Sequence, residues 1–283
     1  MTEEKRQGTL CVISSQVVSG QVGLNAILPA LRQLGIEASA IPTTLLASHA
    51  AAYPEAGPPA HQAIPAETLQ RLGDWLINVG ALDNLDAILT GYMPSIEHVA
   101  ATANLIKKLR EMNPELPYLC DPICGDRGRL YIPEDVACAI RDQLIPLANI
   151  ATPNLFELEW LSQQTVITNE DIFIAAKKLK CPEVVITSAP AQVGSIANIR
   201  VFADRMSRCE TICQPRHIHG MGDVFSALYL GMRVSKLEKG FAIASATMAE
   251  LAKKALGDGR LSFEPIELAP PAMEAQLPLP DIR

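Results

Sequence analysis

"TLCVISSQVVSGQVGLNAILPALRQLG", Thr9 to Gly35, places a short apolar run directly before a helical pattern. Thr9 to Ser14 is dense in β-branched and apolar residues with no charge, which reads as a buried strand. Beyond a turn containing Ser19, Gly20 and Gly23, the residues Leu24, Ile27, Leu28 and Leu31 recur on one helical face, and Gly35 stops the pattern. A strand followed at once by an amphipathic helix is a βα unit.

The unit recurs along the chain. "IEASAIP" reads as a second strand and "AETLQRLGDWLINVG" as a helix, with a Pro- and Ala-rich loop between them. "DAILTGY" is a buried strand. The segment Ser95 to Asn113 carries Ile96, Val99, Ala103, Ile106 and Leu109 at helical intervals, with Lys107, Lys108 and Arg110 in its last turns, where cations suit the helix dipole. "LPYLCDPI", "NIATPN" and "EVVITSA" continue the strands, with helices expected over 134–147, 154–162 and 169–179. "QVGSIANIRVFADRMSRCETICQ" breaks the alternation and predicts short antiparallel strands at a sheet edge. Closing helices are expected over 220–232 and 236–256. The fold class is therefore α/β: a mostly parallel central sheet, helices on both faces and a small antiparallel edge. No internal repeat is present. One domain is expected over 1–265, followed by a proline-rich, non-helical tail over 266–283.

Composition narrows the function. The 283 residues are 48% hydrophobic and 19% charged, with a net charge of −7. That balance lacks the basic footprint of a general nucleic-acid binder. No apolar run is long enough for a membrane span and the start, "MTEEKRQG", is not a signal peptide, so a cytoplasmic enzyme acting on small molecules is expected. Seven cysteines without an export signal read as reduced thiols. Cys120/Cys124 and Cys209/Cys213 invite a zinc reading, but neither has the common two-residue knuckle and Pro122 interrupts the first pair, so buried thiols are preferred.

In parallel sheets, ligands bind at the carboxyl ends of the strands. Ser14 and Ser15, Thr43 and Thr44, Gly91 and Tyr92, Asp121, Asn154, Thr187 and Ser188 all follow predicted strands. Near the other end, "HGMGDVFSAL", His219 to Leu228, brackets a methionine with glycines and sets an aspartate at the mouth of a helix. Glycines allow close backbone approach and helix N-terminal amides favour an anion, phosphate being the natural guest. Asp223 then stands where a carboxylate takes a proton from an attacking hydroxyl. Alone, the motif also reads as a helix cap after a glycine turn. "CDPICGDRG" adds Asp121 at a strand end, and "TPNLFELE" adds Asn154 and Glu157 at a helix start. Each reads as turn and cap chemistry or as the shell of a Mg²⁺–phosphate.

Taken in this order, "ISSQVVSGQVG", "IPTTLLASH", "TGYM", "CDPICGDRGRLYIPED", "TPNLFELE", "VVITS" and "HGMGDVFSAL" resemble the ribokinase superfamily, and more closely its pyridoxal kinase branch. The likeness runs from Ile13 to Leu228. It implies transfer of the γ-phosphoryl group of ATP to the 5′-hydroxymethyl group of pyridoxal. The opening motif separates this branch from hydroxymethylpyrimidine kinases, which carry a "SGGAGIQAD"-like stretch there. That kinase is the runner-up, and a non-catalytic B6-vitamer binder on the same scaffold is the rival outside enzymes.

The resemblance implies Asp223 as general base and the amides of Gly220, Met221 and Gly222 as the anion hole. It implies Ser15, Thr43, His49, Tyr92 and Tyr131 around the vitamer. Asp121, Asn154, Glu157, Thr187 and Ser188 fall on the nucleotide side, with Asp121 and Glu157 toward Mg²⁺. ATP is the co-substrate, K⁺ a candidate accompanying ion and a homodimer the expected assembly. Cys120, adjoining Asp121, reads in two ways: as a small buried residue filling space, which is preferred, or as a thiol that faces the pocket and adds reversibly to the pyridoxal aldehyde if it titrates low enough.

Overall fold

The computed structural model describes residues 8–49, 54–214, 218–257, 259–262 and 265–280. Strand β1 (Thr9–Ser19) leads through Gly23 into helix α1 (Leu24–Gln33), as its apolar pattern predicts. β1 continues past Ser14 to Ser19 and pairs in parallel with β2 (Glu37–Ser48), so both strands project beyond the sheet's mouth. Their register shifts between Ser14 and Gln16. Such an irregularity turns a strand and re-aims its side chains.

Next come β3 (His61–Ala63), α2 (Ala66–Asn78), β4 (Ala87–Thr90), α3 (Ile96–Met112) and β5 (Tyr118–Cys120). A small hairpin of β6 (Gly125–Asp126) and β7 (Arg129–Leu130) precedes α4 (Glu134–Ala139). After α4 the chain widens through a π turn, Ile140–Leu144, and then tightens through a 3₁₀ turn, Ile145–Leu147, so the single helix expected over 134–147 is three short pieces. Pro146, which cannot donate a backbone hydrogen bond, falls within the last piece. β8 (Ile150–Ala151), α5 (Leu155–Ser162), α6 (Asn169–Lys178), β9 (Glu183–Pro190), β10 (Ser195–Phe202), β11 (Arg205–Ile212), α7 (Met221–Val234), α8 (Gly240–Lys254) and β12 (Glu274–Leu277) complete the order.

The large sheet runs β12-β11-β10-β9-β8-β5-β4-β1-β2-β3. From β9 to β2 the neighbours are parallel, while β10, β11, β12 and β3 join antiparallel. The antiparallel edge is larger than the sequence suggests, because the proline-rich tail supplies β12 and β3 closes the opposite side. Four residues among prolines, none of them buried, carry too weak a pattern to separate from a loop.

The central strands β4, β5 and β8 are buried on both faces, as strands of a parallel sheet are. Tyr118 and Cys120 face a core with α3, α4, α5 and α6, whereas Leu119 faces a second core with α1, α7 and α8. The chain passes from β1 to β2 on one side and returns to β4 on the other, so the crevice beyond Ser14 and Thr90 lies at a topological switch point.

Burial also joins the elements electrostatically. Glu183 is 1% exposed and faces Arg200 Nε at 2.9 Å and Arg233 Nη2 at 3.5 Å, while the Tyr229 hydroxyl donates to it. One carboxylate thus ties β9 and β10 to α7. Removing it leaves Arg200 without its ion pair beneath the sheet edge. Glu183→Ala is expected to lower stability by about 2–3 kcal/mol, below the full cost of a wholly buried pair because Arg233 is half-exposed. Urea denaturation checks this, and a loss under about 0.5 kcal/mol would show that the network is solvated.

Candidate active site

Gly220 starts α7 in the left-handed region, at φ 83. A Cβ there would stand 1.9 Å from the Gln21 carbonyl oxygen, so only glycine fits. As the N-cap it offers no side chain to the first helical amides, which remain open to an anion. Gly222 differs. It is exposed, and a Cβ there would meet nothing nearer than Asp121 Oδ2 at 3.9 Å. The first glycine is demanded by the protein's own backbone, and the second keeps space outside it clear. Met221 stands between them, half-buried.

Asp223 lies in the same first turn and is 8% exposed. Its Oδ2 accepts the Gly23 N–H at 2.9 Å, and its buried Oδ1 has no hydrogen-bond partner. Burial raises the carboxyl to about 6, against which the Gly23 N–H pulls it down. Gly23 is itself the N-cap of α1, at φ 56, and a Cβ on it would stand 2.3 Å from the Ser15 carbonyl. Two helix N-termini therefore converge on one carboxylate.

Asp121 follows β5 and is 5% exposed. Its Oδ2 accepts from Ser226 Oγ at 2.9 Å, and Ser226 Oγ is 2.8 Å from Thr152 Oγ1. Burial, then the charges of Glu157 and Asp223, push its carboxyl well above the usual range. Ser226 and Thr152 are site residues that the sequence reading missed. The available signal was that Ser226 is three positions after Asp223 on one helix face, and that Thr152 follows β8.

Asn154 and Glu157 form a reciprocal capping box on α5. Glu157 also accepts from the amides of Cys124 at 2.8 Å and Gly125 at 3.3 Å, and Asn154 Nδ2 donates to the Gly125 carbonyl at 2.8 Å. The pair thereby anchors the loop after β5. Burial lifts Glu157 to about 7 while these amides hold it down. With its oxygens engaged by backbone donors, Glu157 has room for a cation chiefly through water. Thr187 pairs with Asn154, and its amide donates to the Pro153 carbonyl at 2.9 Å. Ser188, exposed, takes φ 58 beside the register shift in β10.

On the other side of the mouth, Ser15 is buried in the β1 irregularity. Thr43 Oγ1 donates to the Tyr92 carbonyl at 2.9 Å, and Tyr92 is half-buried. His49, just past β2, packs against His219 with the rings tilted by 36° and centroids 4.2 Å apart, bringing the two segments together. Tyr131 is 50% exposed beyond the small hairpin, where its amide donates to the Cys124 carbonyl at 2.8 Å.

Cys120 does not face this crevice. It is fully buried in the core beside Tyr118, and burial pushes its thiol up to about 12. Side chains alternate along β5, so its position next to Asp121 turns it to the opposite side. A thiol so buried is turned away from any aldehyde in the crevice and acts as packing. The cysteine pairs are free thiols, and among the described residues no group of three or more His, Cys, Asp or Glu is arranged to hold a metal by itself.

A family model described as phosphomethylpyrimidine kinase matches residues 18–249. The pyridoxal kinase of Arabidopsis thaliana is 30% identical over 274 residues, which are 91% of this chain and 86% of that protein. The pyridoxal kinase of Deinococcus radiodurans is 32% identical over 256 residues, 84% of each chain. Among solved structures, the pyridoxal kinase of Leishmania donovani in complex with ADP and pyridoxamine superposes with a TM-score of 0.84 at 25% identity, covering 96% of this chain and 100% of that one. These likenesses span both the glycine–aspartate turn and the strand ends around it, and the chain belongs to the pyridoxal kinase family of the ribokinase-like fold.

Proposed function

We propose that the chain is an ATP-dependent kinase that phosphorylates the 5′-hydroxymethyl group of pyridoxal. One observation carries the chemistry: Asp223 Oδ1 is buried, has no hydrogen-bond partner and stands at the open N-terminus of α7. Burying an ionisable oxygen without a partner is costly unless a substrate group completes it. A hydroxyl donor meets that need.

In this reading Asp223 Oδ1 takes the hydroxyl proton while the hydroxyl oxygen attacks the γ-phosphorus. The bond to the bridging oxygen breaks and ADP leaves. The amides of Gly220, Met221 and Gly222 stabilise the charge on the transferring group. Ser15, Thr43, His49, Tyr92 and Tyr131 enclose the vitamer, and Thr187, Ser188 and Asn154 adjoin the nucleotide. Mg²⁺ fits the donor set, because hard oxygens from Asp121, and from Glu157 through water, suit an ion that keeps several waters and draws its remaining ligands from phosphate. When bound it neutralises phosphate charge. Asp121, which burial and its neighbours disfavour as an anion, is held ready to meet that cation. K⁺ as an accompanying ion, a homodimeric assembly and a cytoplasmic setting belong to the same proposal.

ATP consumption with pyridoxal and Mg²⁺ tests the reading, with hydroxymethylpyrimidine in a parallel arm. Turnover on the pyrimidine alone would move the assignment to the runner-up, and tight pyridoxal binding without turnover would favour the binding-protein rival.

Asp223→Asn is expected to lower kcat by about 10²–10⁴-fold with the ATP dissociation constant within about threefold. The same change should raise stability. A carboxyl raised from 3.8 unfolded to about 6 folded binds more protons in the native state between those values, so its contribution to stability falls as pH rises through that window. Above about pH 6 the full penalty applies, and the neutral amide relieves on the order of 1–3 kcal/mol. In the wild type, kcat/KM should fall about tenfold per pH unit below about 6. Full turnover in the variant, or a profile flat to pH 5, would refute Asp223 as base.

The two glycines should separate in a second experiment. Gly222→Ala is expected to fold normally, with a thermal midpoint within about 2 °C, yet to raise the KM for ATP by about tenfold or more, since its methyl enters the space kept for phosphate. Gly220→Ala should destabilise the protein itself by on the order of 2 kcal/mol through the collision with Gln21. Equal behaviour of the two in melting and in ATP kinetics would contradict the assignment.

A further inference from the structure

The loop from Gly20 to Gly23 touches both parts of the catalytic turn. The Gly23 N–H donates to Asp223 Oδ2 at 2.9 Å. The Gln21 carbonyl lies so close to Gly220 that it excludes a Cβ there. Any shift of this loop moves the partner of the base and the seat of the first amide together. Yet the loop lies outside both β1 and α1, with glycines at its two ends in the left-handed region, φ 109 at Gly20 and 56 at Gly23. Such a segment does not hold its own shape.

Asn25 holds it. From the first turn of α1 its Nδ2 donates to the Val17 carbonyl at 2.9 Å and to the Gly20 carbonyl at 3.1 Å, while its Oδ1 accepts from Gln16 Nε2 at 2.5 Å. Gln16 Nε2 also donates to the Val17 carbonyl at 3.1 Å. The three hydrogen bonds of one amide thus staple the end of β1, the loop and the start of α1. We infer that Asn25 is a positioning residue for phosphoryl transfer: it fixes the loop so that the Gly23 N–H orients Asp223 and leaves Oδ1 directed at the acceptor hydroxyl. The inference rests on the reading of Asp223 as the base. Asn25 touches no reacting atom.

Asn25→Asp isolates this role. It preserves size and Oδ1, removes both Nδ2 donors, and introduces an acid at a helix N-terminus, where negative charge is favourable. The helix should therefore persist while the staple is lost. Measured on a pH plateau above 7.5, so that a changed proton affinity of Asp223 does not register, kcat should fall about 10- to 100-fold, with the KM for ATP and for pyridoxal within about twofold. Independently of turnover, the Gly23 amide should exchange with solvent at least about tenfold faster than in the wild type. Gln16→Leu, which deletes one strand of the staple and leaves Asn25 intact, should give a two- to fivefold fall in kcat in the same direction, about one hydrogen bond's worth. It carries the test if the aspartate variant does not fold.

Asp223→Asn in the same assay separates the failures. If it loses turnover while Asn25→Asp keeps wild-type kcat and Gly23 exchange, the positioning role is overturned and the base stands. If Asp223→Asn keeps wild-type turnover, the reading of the base falls and the inference falls with it.

Discussion

The hydrogen bond from the Gly23 N–H to Asp223 Oδ2 joins residues 200 positions apart, and the rest of the site is arranged around it. It brings the first βα turn against the N-terminus of α7. To make it, Gly23 takes a left-handed conformation close enough to Ser15 that no side chain fits, and Gly220 packs against the Gln21 carbonyl where a Cβ would collide with it. Both helices then direct their N-termini toward one buried carboxylate. The bond satisfies one oxygen and leaves the other without a partner, a state that desolvation makes costly and that substrate can relieve. With Asp223 as the proposed base, stability is lost at this position in favour of reactivity.

The neighbouring acids divide the remaining work by how their oxygens are occupied. Glu157 is engaged by three backbone amides, so it shapes the loop after β5 and caps α5. Asp121 is held by Ser226, itself bonded to Thr152, and so is fixed by the helix that also carries Asp223. The irregularities of the sheet fall where side chains must leave its plane, at Ser15 in β1 and beside Ser188 at the end of β9. Regular pairing would return these residues to the cores.

Much of the architecture was legible in the sequence because burial imposes a period. Leu24, Ile27, Leu28 and Leu31 repeat at helical spacing, and the central strands β1, β4, β5 and β8 are uncharged and largely apolar, so parallel order and two helical layers follow. Where burial is partial the pattern fades. β12, lying among prolines, and β3, exposed along its length, are specified by pairing with neighbours already in place. The turns over 140–147 depend on local backbone adjustment that apolar spacing does not record.

In the site, the division follows range. Gly220, Gly222 and Asp223 adjoin in the chain, and Asn154 and Glu157 cap one helix, so their proximity was already decided by the sequence. The parallel order placed Asp121, Thr187 and Ser188 at the same end of the sheet. Tertiary structure alone decided the direction of each side chain. Cys120, next to Asp121, turns into the core by strand alternation, while Ser226 and Gly23 become partners of the carboxylates, and Thr152 the partner of Ser226, through contacts between segments distant in the chain. Local sequence encodes backbone conformation and apolar period; the orientation and ionisation of a buried acid depend on solvent exclusion and dipoles supplied by the whole fold.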